Sequence, residues 1–259
     1  MVIEMEHKEN FIDSGVNLLT AAMSLANPAV GLIGAALSPI ISNGAKSILP
    51  KSLSERENKR VEFIFENIIR KISAMLEKGF VPRLDEMYYA NGLEIPNAQE
   101  LFEGVLLKAR EEHQAKKLLL YYSTFFANVC FDETINIEHS HFLLCLIERL
   151  TYRQLTILSY LSDGKHIQTN RWDSQFKVAS NSELVRYYDF YSEYVDLYNI
   201  RLITQTDTIS GFSLGMSETK ISDMGYSVVR LLELKDILKE DVDNVKKYFD
   251  AIAEIIARV

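Results

Sequence analysis

The sequence predicts a mainly α fold with one small β-hairpin near the C-terminus. Three observations carry this. Five prolines and eleven glycines are few for 259 residues, which favours a mostly helical chain. N-cap signatures recur ahead of runs whose apolar residues are three and four apart. One stretch near the N-terminus, Ser14 to Ala45, carries no charge at all in a chain whose net charge is −8. The pattern divides the chain into an apolar helical segment (1–50), a helical-bundle body (51–150), a third module (151–235) and a terminal amphipathic helix (236–259).

The charge-free stretch is long enough to span a bilayer, but Pro28 and Pro39 interrupt it. Asn27-Pro28 and Ser38-Pro39 each set a capping residue before a proline, which starts a helix rather than continuing one. The expectation is short helices over about 10–26 and 28–37, with a turn after 39. Leu18, Leu25, Leu37 and Ile40 supply apolar bulk. Gly31 and Gly34 pair with Ala35 and Ser38 at the four-residue spacing that lets helices approach closely. Three readings stand: a hairpin buried on the body or a sister subunit, a segment entering membrane on activation, and a permanent transmembrane helix. The prolines oppose the last. Glu4, Glu6 and Glu9 stand where a secretory signal needs basic residues.

Residues 51–79 form the clearest helix. Ser54 and Glu57 make a capping box, Val61, Ile64, Phe65, Ile68, Ile72 and Leu76 share a face, and Gly79 and Pro82 close it. A short helix with Tyr88 and Tyr89 is expected between Pro82 and Gly92. Asn97 caps a helix to about Glu112. Another is expected from Lys116 to about Cys130, then a loop over 131–136 and a helix from Glu138 to Leu150. Short connections favour antiparallel neighbours.

The order changes after residue 150. Thr151 and Gln154 cap a helix ending at Asp163-Gly164, and a polar loop of about sixteen residues holds Trp172. Ser180 to Glu183 cap a long helix to about Asn199. Arg201–Thr206 and Gly211–Ile221 read as two strands around an Asp-Thr-Ile-Ser turn, and Ser222 starts a helix to about Leu234. Helix, helix, hairpin, helix is the order of a winged-helix-like module. In the last helix Val245, Phe249, Ile252 and Ile256 continue a 4,3 spacing that fits either an oligomer seam or packing on the chain's own body.

Composition limits the chemistry. The negative net charge opposes bulk affinity for nucleic acid or anionic membrane. Only Cys130 and Cys145 are present, which fits a reducing cytosol. His139, His141 and Cys145 lie close in sequence, with Glu138 or Cys130 as further ligands, but no CxxC or HExxH spacing supports a metal. Gly31-Leu32-Ile33-Gly34 lacks either phosphate-loop pattern, and no GxSxG is present. The reading is of no enzyme and no cofactor. The helix over 183–199 sets Glu183, Asp189, Glu193 and Asp196 against Arg186, which opposes phosphate contact. Its aromatics exceed what one buried face requires: some are expected in the core, and the others, with Tyr187, Tyr191 and Tyr194 as candidates, suit a protein interface.

Some of these patterns occur together in a known group. An apolar Ala/Gly/Pro segment ends in Ile48-Leu49-Pro50, and an amphipathic helix follows. Ile95-Pro96-Asn97, then Glu100-Leu101-Phe102-Glu103, precede a Leu/Phe-rich helical pair and Leu150 to Leu158. Over about residues 15–235 the chain resembles the Abi-alpha group of bacterial proteins associated with abortive infection by phage. The resemblance implies a cytoplasmic protein, peripheral to the inner membrane when active, that responds to infection by harming the host cell membrane. It carries no catalytic residues. The expected partners are proteins, either a second copy in a homo-oligomer or a phage or host protein, with membrane contact on activation. A winged-helix transcription regulator and a structural oligomeric scaffold are the alternatives.

Overall fold

A computed structural model describes residues 2–26, 28–48, 54–83, 85–88, 95–165, 167–169, 172–177, 182–205 and 216–258. The chain divides into two compact units, Met1–Arg149 and Leu150–Val259. Residues 1–50 fall in the first and 236–259 in the second.

In the first unit the charge-free stretch lies within two helices, α1 (Val2–Ala26) and α2 (Pro28–Ile48). Both are longer than expected. Pro28 opens α2, where its missing N–H costs nothing. Pro39 does not end it; the helix runs through to Ile48 with the proline exposed. The lost ladder bond is offset by burial of Leu37, Ile40, Ile41, Ala45 and Ile48 around it, at about 1.5–3 kcal/mol for each large side chain. Lys46 pairs with Asp13 at 3.2 Å, and the Thr20 and Ser38 hydroxyls meet at 3.2 Å, tying α1 to α2. Among the described residues no helix is long and apolar enough to cross a membrane.

The body of this unit is α3 (Glu55–Glu77), α4 (Asn97–Glu111), α5 (Ala115–Leu120), α6 (Tyr122–Val129) and α7 (Ile137–Arg149). The α3 capping box is present, with Ser54 N–H donating to Glu57 at 2.8 Å. Its far end closes in a left-handed Gly79, with Phe80 N–H on the Met75 carbonyl at 3.0 Å. Between Pro82 and Gly92 the described part holds one 3-10 turn, Glu86–Tyr88. Tyr89, Asn91 and Gly92 lie outside the described residues. Asn97 is not the cap of α4. Pro96 occupies that position, and the Asn97 amide instead donates to the Glu86 carbonyl at 3.1 Å. The expected helix over 116–130 is kinked at Tyr121 into α5 and α6. The ladder continues through the kink, since Phe125 N–H reaches the Tyr121 carbonyl at 2.8 Å. Helix α3 packs on α1, α4 and α6, and α4 on α2, α6 and α7. Phe11, Phe65, Phe102 and Phe126 run through this core with successive ring separations of 5.5, 6.5 and 5.0 Å.

The second unit is built around α8 (Tyr152–Ser162), buried on every side from Gln154 to Ser162. It continues with β1 (Ile167–Thr169), α9 (Trp172–Lys177), α10 (Ser182–Val185), α11 (Tyr188–Asn199), β2 (Ile203–Gln205), β3 (Met216–Ile221), α12 (Asp223–Leu231) and α13 (Lys239–Ala257). The expected polar loop before residue 180 therefore holds a strand and a helix. Trp172 and Phe176, four apart, bury one face of α9. The expected long helix divides at Arg186–Tyr187 into α10 and α11. Ser180 and Asn181, and the Asp207–Ser210 turn, lie outside the described residues. The three strands form an antiparallel sheet in the order β1-β3-β2, with Ile203 opposite Ile221 and Ile167 opposite Thr219. Helices α11, α12 and α13 pack on α8.

Candidate functional site

Phe190, Tyr191, Tyr194 and Leu197 recur along α11 at core spacing, and all four are buried. The Tyr194 hydroxyl is hydrogen-bonded to Thr219 on β3. Tyr191 stacks flat on Phe176 at 4.1 Å. Tyr187 is half-buried, edge-on to Tyr248 at 5.8 Å. The expected partner interface is corrected at Tyr191 and Tyr194, whose rings fill their own unit, while Tyr187 keeps part of its surface open. The expected seam is corrected for the same reason. Val245, Phe249, Ile252 and Ile256 are buried, and α13 lies on α8. Tyr160, Trp172, Phe190 and Tyr194 surround Phe249 at 4.9–6.0 Å. A small unit needs aromatic bulk to close its core, and that need accounts for the tyrosine density.

In the first unit Leu18 is 59% exposed, whereas Leu37 and Ile40 are buried. Leu25, Gly31 and Gly34 lie outside the residues whose side chains are described. The His139 ring stacks on Phe142 at 5.9 Å, and among the described residues no three metal-ligating side chains gather. Burial pushes the Cys130 thiol up to about 12, which removes it as a nucleophile at neutral pH.

Two features of the second unit remain open to solvent. One is the outer face of α10 and α11. Val185 and Tyr188 are 56% and 49% exposed there, among exposed Glu183, Arg186, Asp189 and Asp196. Glu193 is drawn inward, accepting from Arg153 and, at 2.8 Å, from the Thr151 hydroxyl.

The other is a cleft of about 920 Å³ where α11, β2, β3 and α12 meet. Helix α11 ends in a Schellman arrangement: Leu202 N–H donates to the Leu197 carbonyl at 3.0 Å and Arg201 N–H to that of Tyr198 at 2.9 Å. The position that glycine usually fills is Arg201, left-handed at φ 62°. Ser222 then joins two helices. Its hydroxyl donates to the Arg201 carbonyl at 2.7 Å and accepts from Gly225 N–H at 3.0 Å, capping α12. A Cβ at Gly225 would lie 2.2 Å from the Leu202 carbonyl oxygen, so only glycine allows this approach. Tyr198, Arg201, Lys220 and Tyr226 line the cleft. Sequence reasoning found the Ser222 cap but not the cleft, because no local pattern marks Arg201 as left-handed.

Comparison of the chain with protein-family models, with curated proteins and with solved structures finds no match.

Proposed function

We infer that the chain is a non-enzymatic bacterial anti-phage protein of the abortive-infection kind. The Leu150–Val259 unit senses a protein partner through the outer face of α10 and α11, and the α1–α2 hairpin is the oligomerising or membrane-active part. The observation that carries the sensing role is exposed Val185 and Tyr188 within an acidic rim. Tyrosine beside aliphatic surface favours a protein interface, and the carboxylates repel phosphates. The partner is a protein with an apolar notch and a basic border.

The experiment is phage challenge of bacteria expressing the chain, with the Tyr188→Asp and Asp189→Lys variants alongside. Wild type lowers plaque counts or arrests growth after infection. Both variants lose that effect while their melting temperatures stay within a few degrees. No protection and no arrest by wild type would overturn the defence reading. Liposome leakage reports on the hairpin separately.

A second reading, a winged-helix transcription regulator, is favoured by topology. The order helix, strand, helices, strand, strand with a β1-β3-β2 sheet supports that reading. On that reading α11 is the helix that enters a DNA groove, and its acidic face argues against it. A salt-sensitive duplex shift would move the balance.

A further inference from the structure

We propose that the cleft between α11, β2, β3 and α12 binds a small phosphate-bearing ligand of the nucleotide class. This goes beyond the defence reading and does not depend on it.

The charge of the cleft is opposite to that of the chain. Among the described residues Lys165, Arg201 and Lys220 line it against the one carboxylate of Asp223, in a protein of net charge −8. Lys165 is engaged by Asp163 at 3.2 Å. No side-chain hydrogen bond or ion pair involves Arg201 or Lys220 among the described residues. The α12 N-terminus opens on the same space, and Ser222 caps one of its N–H groups, that of Gly225. First-turn N–H groups and the helix dipole add to these two cations.

Two backbone hydrogen bonds and one from the Ser222 hydroxyl hold Arg201 left-handed, a conformation that favours glycine over residues with a side chain. The fold alone is better served by glycine there. An arginine at that position, on the wall of a cleft, fits a binding role in which the guanidinium grips phosphate oxygens in two places.

The cleft volume lies within the range of small-ligand pockets. Tyr198 and Tyr226 stand in its wall, Tyr226 with 46% of its surface exposed. Their rings offer a surface for a base. Gly225 and Ser222 lock α12 onto the start of β2, so the walls are set before a ligand arrives.

The test is calorimetric titration of the full-length chain with pyrophosphate and with ADP at low ionic strength. The variants are Arg201→Gly and Lys220→Gln. Wild type binds at least one probe saturably, and each variant weakens binding tenfold or more. Arg201→Gly holds or raises the melting temperature, since glycine suits the left-handed backbone, which separates lost binding from lost fold. ADP binding tighter than pyrophosphate places the base on the tyrosines; ADP binding no tighter than pyrophosphate would overturn the nucleotide assignment. No saturable binding of either probe to wild type up to millimolar concentration would overturn the proposal. So would binding that both variants leave unchanged, or binding of a DNA duplex in place of both probes. None of these outcomes involves phage, so they stand apart from the defence test.

Discussion

Two buried ionic clusters set the stability of the first unit residue by residue. Arg83 is almost fully buried and donates to the carbonyls of Asp132 and Ile135 at 2.9 and 2.6 Å while its guanidinium clasps Asp85. It thereby closes the loop that follows α6. Arg83→Ala removes the guanidinium from those carbonyls and from Asp85, leaving the buried Ile135 carbonyl short of a donor, and is expected to cost about 1–3 kcal/mol, read from the urea midpoint. Arg83→Lys recovers little, because an ammonium lacks the fork that reaches all the acceptors. The second cluster is Glu112, held by Lys117 at 2.8 Å, Gln114 N–H at 2.8 Å and Tyr122 at 3.2 Å. Burial pushes the Glu112 carboxyl up, but the bonds and charge of Lys117, with the other two donors, outweigh it and the net direction is down. A carboxyl whose pKa is lower in the folded chain stabilises it above the unfolded value, about 4.3. That stability is lost as pH falls through the lower folded value. Denaturation midpoints should therefore drop as pH falls below about 4.3, and Glu112→Gln should flatten that slope while lowering the midpoint at pH 7.

Among the elements, the junction before α12 and the stripe of α13 are the most sensitive. Gly225→Ala drives a methyl into the Leu202 carbonyl, which is backbone and cannot rotate away. The expected cost is about 2–4 kcal/mol, seen as a fall in melting temperature. The neighbouring cap is gentler: Ser222→Ala should cost about 1 kcal/mol. Phe249→Ala removes the ring that four other aromatics enclose, for about 3–5 kcal/mol. Because α13 covers α8 of its own chain, Phe249→Asp is expected to unfold the second unit rather than disperse an oligomer. Near-ultraviolet dichroism would lose its aromatic signal along with any change in sedimentation. A well-folded, merely smaller species would restore the seam reading.

The whole molecule carries two cores and a single reporter. Trp172, the one tryptophan, is buried in the second unit beside Phe249 at 5.7 Å. Tryptophan emission therefore follows the Leu150–Val259 unit, whereas far-ultraviolet dichroism follows both. Phe249→Ala is expected to shift the emission midpoint in urea, and Arg83→Ala to shift a dichroism component while leaving emission in place. Coincident shifts of both signals in both variants would mean that the chain unfolds as one cooperative body.

What the sequence determined by itself is local. The boxes at Ser54 and Thr151, the Ser222 cap and the apolar spacing that follows each of them placed α3, α8 and α12 within a residue or a few. Their hydrogen bonds close within four positions. The mainly helical fold and its small antiparallel sheet follow from the same signals. Only the tertiary structure decided what covers each apolar face. An apolar stripe such as Val245 to Ile256 has the same pattern whether it meets α8 or a second copy. The tyrosines of α11 have the same spacing whether they face a core or a partner. Pro39 continues a helix because residues distant in the chain bury its neighbours. Arg201 is left-handed because Leu197, Tyr198 and Ser222 hold its backbone. Contacts between residues far apart in sequence leave no local signature, and the candidate cleft is made of such contacts.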